Sequence, residues 1–344
     1  MEPYPATLEH EDLLVRRGRR SGLYCIVAVH STVRGPSVGG CRMWRYDDSR
    51  AAVRDALKLS RAMTFKSAAA ALPMGGGKGV IMLRGEAPTG RARTGLLLDF
   101  AETVGLLGGA YKTAEDVGTS LRDMTVIARG TPHVSGLSRA KGGSGDPSPW
   151  TAVGVEAAIL ASAERAFGSS DLRGRTVSVV GLGHVGLRVA ELVARRGAKL
   201  IAADIVPARR DDARRLGARW MTPAKALLAP ADVLVPCALG GALNHETVPL
   251  IQAPVIAGAA NNQLVEDSLD SDLAARGVLW APDFVANAGG IINISVELAP
   301  GGYDPKVARA KVRGIADTLG AIYDAATTPL SAAMELARAN LASA

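Results

Sequence analysis

The stretch from Thr176 to Asp204 restricts the fold of this chain more than any other. Thr176-Val177-Ser178-Val179-Val180 is a β-branched, apolar run with the character of a buried strand. It passes directly into Gly181-Leu182-Gly183-His184-Val185-Gly186 and a helical segment to about Arg196. Gly197 stops that helix, a second apolar strand runs from Lys199 to Ala203, and Asp204 follows 18 residues after Gly186. A bare G-x-G-x-x-G is weak, but one enclosed by strand, helix, strand and acid describes a dinucleotide site. Its glycines let backbone approach a pyrophosphate, the helix N-terminus faces that anion, and the acid accepts hydrogen bonds from ribose hydroxyls. Gly181, Gly183, His184, Val185, Gly186 and Asp204 are therefore candidate cofactor contacts. Alternating units continue through Val233 to Cys237 and Val255 to Gly258, as expected of α/β architecture with a Rossmann doubly wound parallel sheet.

That sheet needs only part of a 344-residue chain, and 48% hydrophobic residues supply core for a second domain. Gly142-Gly143-Ser144-Gly145-Asp146-Pro147-Ser148-Pro149 is the clearest linker. It predicts a hinge between an N-terminal α/β domain over residues 1–140 and a dinucleotide domain over 141–322. The net charge of +7 is spread among alanines and acids; its densest cluster, Arg16-Arg17-Gly18-Arg19-Arg20, reads as a solvated face or edge. With aromatics at 4%, no nucleic-acid partner is expected. No apolar run is long enough to span a bilayer and the N-terminus is too charged for a secretory signal, so no membrane partner and a cytoplasmic location are expected. Cys25, Cys41 and Cys237 lack metal or disulfide spacing, and no metal is expected.

The N-terminal part carries its own concentration of chemistry. Met74-Gly75-Gly76-Gly77-Lys78-Gly79 reads as a glycine turn delivering one lysine, but Gly79 occupies the place of the Ser or Thr that a nucleoside-triphosphate loop requires. Before it, Ser49 can cap a helix with Val53, Ala56, Leu57, Ser60 and Met63 on one face, ending near Thr64, so that Lys66 emerges from its end. Lys66 is then either a surface lysine or, in its apolar surroundings, the partner of an anionic ligand. Gly39-Gly40 alone reads as a tight turn, and Glu115-Asp116 as a cap or a solvated turn.

Taken together, these segments resemble the NAD(P)-dependent amino-acid dehydrogenases that act on glutamate, leucine, phenylalanine and valine. Met63-Thr64-Phe65-Lys66 with Pro73 to Lys78 is similar to that family's signature. Ser37 to Met43 resembles its G-G-x-R-M segment, and Thr113-Ala114-Glu115-Asp116-Val117-Gly118-Thr119 resembles its leucine branch. Cys237-Ala238-Leu239-Gly240, Ala259-Ala260-Asn261-Asn262-Gln263, Pro282-Asp283 and Asn287 to Asn293 extend the likeness over roughly residues 22 to 323. Cys41 departs from it, standing where leucine and phenylalanine dehydrogenases usually carry Thr.

The resemblance implies reversible oxidative deamination of an L-amino acid to its 2-oxo acid and ammonia, with substrate in a deep cleft between the two domains and hydride passing to NAD. Lys66 and Asn262 would hold the substrate carboxylate beside Gly39 and Gly40. Lys78 would be the base that activates water, provided it is deprotonated near neutral pH, which burial and a second ammonium such as Lys66 promote. Asp116 would shuttle protons. Val38, Ala114, Ile291 and Ile294 would surround the substrate side chain. Thr151, Cys237, Ala238, Leu239, Ala260, Asn261 and Asn287 would complete the cofactor contacts. The helix after about 322, residues 323–344, would fold back on the first domain, and the chain would form a homo-oligomer. The apolar pocket implies a branched aliphatic substrate, with an aromatic one as the alternative. Asp204 implies NAD over NADP, against Arg209 and Arg210 just downstream. Other readings of the same fold are a 2-hydroxy-acid dehydrogenase, which needs a catalytic His near an Arg, and a non-catalytic NAD-binding regulator.

Overall fold

The computed structural model describes residues 8–344 apart from Leu239. They form an α/β chain that divides into two compact units. In the first, strands β1 (Asp12–Arg17), β2 (Tyr24–Ser31), β3 (Ser37–Arg45), β4 (Gly75–Leu83) and β5 (Tyr111–Glu115) make one sheet in the order β1-β2-β4-β3-β5. β2 runs antiparallel to β1 and β4, whereas β3 is parallel to β4 and β5. Strand alternation sends Cys25, Val27 and Val29 into one core with Leu96, Leu97 and Phe100, while Ile26 and Ala28 pack with Ala52, Val53, Ala56 and Leu57. Both faces are thus covered, one of them by the helix Ser49–Ala69. The arginine cluster falls partly on edge strand β1, where charge discourages pairing with another chain.

The glycine run is not a turn. Gly75 to Gly79 open β4, a strand with neighbours on both sides, and Gly39-Gly40 lie within β3. None of these has positive φ, so close approach rather than backbone freedom demands glycine. A Cβ on Gly76 would lie 2.0 Å from Thr64 N; one on Gly39 would lie 1.7 Å from Gly77 O. On the opposite side of β4 from Gly76, Tyr111 and Phe100 fill the space above Gly77 and Gly79. The helix also differs from expectation at both ends. Asp48, not Ser49, caps it by accepting a 2.7 Å bond from Ala51 N, and it runs beyond Thr64 to Ala69, so Lys66 stands in its last turn.

In the second unit, β6 (Thr176–Val180), β7 (Lys199–Ala203), β8 (Arg219–Trp220), β9 (Val233–Pro236), β10 (Val255–Ile256) and β11 (Leu279–Trp280) form a six-stranded sheet in the order β11-β10-β9-β6-β7-β8. Every pairing is parallel, and the chain order reverses beside β6, the doubly wound arrangement with its switch point between β6 and β9.

The units do not follow the expected boundaries. The first comprises the described residues up to Asp146, then Ile294–Asp304 and Ala337–Ala344; the second comprises Pro147–Asn293 and Pro305–Leu336. Glu297 explains the inclusion of residues 294–304 in the first unit, because its carboxylate accepts from Gly136 N at 2.9 Å and Ser144 N at 2.8 Å. The last helix, Pro329–Ala342, begins in the second unit, where Leu330 N donates to Asp270 at 2.9 Å. It ends in the first, where Asn340 Nδ2 donates to Ala68 O at 2.8 Å. The return therefore starts at Ala337 rather than at 323.

Because the atom facing Gly76 is backbone, no side-chain rotation relieves a clash there. Gly76→Ala is expected to destabilise the protein by about 1–3 kcal/mol, the usual range for overpacking. An unchanged denaturant midpoint followed by circular dichroism would show that the helix yields freely.

Candidate active site

In the first unit, β3, β4 and β5 bring their functional positions together. Gly40 pairs with Ala114, and Val38 pairs with Gly76 on one side and Lys112 on the other. Alternation places Lys78 on the same face of β4 as Gly76, the face covered by the helix that carries Lys66. Lys78 is 5% exposed, and its Nζ donates to Asp116 Oδ2 at 2.5 Å. Asp116 follows β5 directly. Its N–H is accepted by the Thr119 hydroxyl at 3.0 Å, and that hydroxyl lies 2.9 Å from Cys41 O, tying the turn to β3.

Gly40 has a specific task here. A Cβ at that position would meet Asp116 Cβ at 2.5 Å and Cγ at 3.3 Å, so Asp116 occupies the space that the missing side chain leaves. Tyr111, fully buried, donates to Gly39 O at 2.6 Å. Lys66 is half-buried. Val38 and Ala114 are buried beside these groups, and Ile294, which groups with this unit, is buried as well.

Burial pushes the Asp116 carboxyl up. The charges of Lys78 and Arg42 and the Lys78 hydrogen bond outweigh that cost, leaving the carboxyl below its ordinary value. Asp116 is therefore ionised at neutral pH. Its contribution to stability is present above the unfolded carboxylate value of ~3.9 and is lost as pH falls through the lower folded value. Cys41 stays a thiol, pushed up by burial, and contributes no thiolate to the site.

The second unit holds the other expected residues. Gly181 takes φ +104°, and a Cβ there would meet Cys237 C and Ala238 N at 2.8 Å. A Cβ on Gly186 would lie 1.9 Å from Gly181 O, so this glycine lets the helix Gly186–Arg195 close onto the turn. A Cβ on Gly183 would meet nothing within 4 Å, and the residue is exposed. His184 is exposed and Val185 half-buried. Asp204 accepts from Leu182 N at 2.6 Å and Val206 N at 2.8 Å, one bond per oxygen, which leaves acceptor capacity on both.

Asn287 Nδ2 donates to Asn261 Oδ1 at 2.9 Å and to Ala259 O at 3.2 Å, whereas its buried Oδ1 has no partner among the described residues. Ala260 N donates to Pro236 O at 3.0 Å, and exposed Asn262 takes φ 51°. Thr151 is half-buried with its hydroxyl donating to Pro147 O at 3.2 Å, and Ile291 is buried. Leu239 lies outside the described residues. An exposed glycine, an aimed carboxylate and an unpartnered buried amide oxygen fit a dinucleotide. When bound, its nicotinamide accepts or returns a hydride.

Sequence reasoning overlooked three groups around Asp116. Arg42 Nε donates to Asp116 Oδ2 at 3.4 Å, and its NH1 donates to Asp55 Oδ2 at 3.0 Å. Tyr46 OH donates to the same Asp55 oxygen at 2.5 Å. The G-G-x-R-M segment contained Arg42, but no spacing rule pairs it with Asp55 on the following helix.

The geometry describes a doubly wound sheet with a glycine-rich turn in one unit and a buried lysine–carboxylate pair in the other. The Glu/Leu/Phe/Val dehydrogenase dimerisation-domain family matches residues 10–133, and the Glutamate/Leucine/Phenylalanine/Valine dehydrogenase family matches residues 210–304. Leucine dehydrogenase of Thermoactinomyces intermedius is 41% identical over 324 residues, 94% of this chain and 87% of its own. Valine dehydrogenase of Streptomyces albus is 42% identical over 348 residues, 97% of this chain and 93% of its own. The crystal structure of L-tryptophan dehydrogenase from Nostoc punctiforme superposes with a TM-score of 0.82 at 36% identity, covering 98% of this chain and 97% of that one. The chain belongs to the Glu/Leu/Phe/Val dehydrogenase family. It is an amino-acid dehydrogenase, an oxidoreductase.

Gly40→Ala leaves Lys78 and Asp116 in the sequence but displaces Asp116. Since a misplacement of about 1 Å can cost ~100-fold, kcat is expected to fall by roughly that factor. Steady-state kinetics on the folded variant test this; near-normal kcat would mean that Asp116 can move without consequence.

Proposed function

We propose that the protein catalyses the NAD-dependent, reversible oxidative deamination of a branched aliphatic L-amino acid to its 2-oxo acid and ammonia. The observation that carries this reading is the 2.5 Å contact between buried Lys78 and Asp116. Loss of hydride from Cα leaves an imine that water must attack, and a base beside that carbon is then required. Lys78 Nζ takes the proton from water. Asp116 Oδ2 exchanges protons with the amine and the carbinolamine nitrogen, and its ionised state suits it to accept one. Lys66 Nζ holds the substrate carboxylate next to Gly39 and Gly40.

The substrate assignment rests on the kinship with leucine and valine dehydrogenases and on the side-chain residues. Val38, Ala114, Ile291 and Ile294 are buried and apolar, with 0, 5, 7 and 7% exposure. None offers a charge to a second carboxylate, whose unpaired burial would cost several kcal/mol, so glutamate is disfavoured. For the cofactor, Asp204 would repel a 2′-phosphate. Arg209 donates to Asp212 at 3.1 Å, which draws it away from such a role. A homo-oligomer is in keeping with the dimerisation-domain match. Among the described residues no helix is long and apolar enough to cross a membrane. The cytoplasm remains the proposed location, in keeping with three free cysteines.

Oxidation of NADH with ammonia and a panel of 2-oxo acids tests the reading, with kcat/KM expected to be highest for the keto acids of leucine, valine or isoleucine and lower with NADPH. Preference for the keto acid of tryptophan or phenylalanine would replace the aliphatic assignment, and equal use of NADPH would refute the role of Asp204.

Lys78→Ala is expected to abolish turnover while leaving NADH binding intact, and Lys66→Ala to raise KM in the main. Near-normal kcat in Lys78→Ala across the pH range would exclude it as the base.

A further inference from the structure

We propose that Arg42 is a positioning residue for Asp116, holding its carboxylate at the site through a chain that runs Tyr46, Asp55, Arg42, Asp116. This rests on the assignment of Asp116 to proton transfer.

Arg42 projects from β3, two residues beyond Gly40, the glycine whose missing side chain makes room for Asp116. Its guanidinium spans two carboxylates, with Nε 3.4 Å from Asp116 Oδ2 and NH1 3.0 Å from Asp55 Oδ2. Asp55 is itself held by Tyr46 OH at 2.5 Å. A planar fork with both arms engaged has little freedom to rotate, so Arg42 presents its charge to Asp116 from a fixed direction.

Lys78 alone cannot do this. It meets the same oxygen at 2.5 Å, but as the proposed base it must become neutral during the cycle, and at that moment its attraction for the carboxylate disappears. Arg42 stays charged throughout. It keeps Asp116 ionised and in place in the half of the cycle when Lys78 has lost its proton. Among the described residues, Cys41 and Tyr111 also face Asp116, both protonated by burial, and Glu115 precedes it in the chain. Arg42 is therefore a cation beside Asp116 that the proposed reaction does not discharge.

The test is the pH dependence of kcat for leucine deamination in the full-length protein, together with carbon-13 NMR titration of the Asp116 carboxyl, assigned with Asp116→Asn. In Arg42→Gln the acid limb of kcat and the carboxyl titration are both expected to move to higher pH. At neutral pH kcat should fall by about tenfold, part of the ~100-fold or more that a positioned proton-transfer group supplies, with KM changed less. Arg42→Lys keeps the charge but not the fork, so its acid limb should stay near that of the parent while kcat is intermediate. A folded Arg42→Gln protein with unmoved limb and titration overturns the proposal, as does an Arg42→Lys variant that behaves like Arg42→Gln. If the parent protein turns over no amino acid while the Asp116 titration still moves in Arg42→Gln, the deamination reading fails and the link from Arg42 to Asp116 stands.

Discussion

The first unit depends on how closely β3, β4 and the helix Ser49–Ala69 approach one another. Gly39 lies against the Gly77 carbonyl and Gly76 against the Thr64 amide, at separations no Cβ would permit. Close-packed backbones carry their side chains to fixed positions, because a strand held on both edges and pressed by a helix has few ways to relax. Lys78 gains its place from this. It leaves β4 between two glycines, on the face that Gly76 opens to the helix, and reaches the carboxylate of Asp116 across a space that Gly40 keeps clear. Glycine here is a means of packing, and the reactive pair is its product.

Asp116 in turn is held from several directions. The turn that follows β5 is fixed by Thr119, whose hydroxyl accepts from Asp116 N and lies 2.9 Å from Cys41 O. Gly118, at φ +82°, bends the chain against Met43 O, where a Cβ would lie at 2.0 Å. Arg93 donates to Gly118 O at 2.9 Å and to Asp123 Oδ2 at 2.7 Å, so the loop is also anchored to the next helix, Leu121–Ile127. The backbone of the T-A-E-D-V-G-T segment is thus determined at each step, which suits the proton exchange proposed for Asp116.

Much of this was legible in the sequence, for identifiable reasons. The doubly wound sheet followed from strand, glycine turn, helix, strand and acid, and the six parallel strands bear it out. The lysines and Asp116 were legible through family resemblance, not through pattern. The glycine run misled, since three consecutive glycines have low strand propensity and read as a turn, whereas tertiary packing places them in mid-sheet. The boundaries were obscured for a similar reason. Glu297 ties the end of one helix to Gly136 and Ser144, far away in the chain, and no local signal marks such a contact. Arg42 and Asp55 were hidden because a strand residue and a helix residue meet only once the two elements have packed.

Stability does not account for the cluster. A buried lysine with a carboxylate usually gains little over an apolar pair of the same volume, because desolvation consumes most of the attraction. Here the arrangement is extended by a second cation and a second carboxylate, with a tyrosine beyond them, in a unit whose remaining core is filled by Ile, Val, Leu and Phe. Nothing in the packing of β3 and β4 requires charge at these positions. What the charges do provide is a carboxylate that stays ionised despite burial and a lysine held against it at a fixed position. Those two properties fit the proposed reaction, in which protons move at a water oxygen and at one nitrogen. They are the physical reason to read the glycine-lined strands as the floor of an active site.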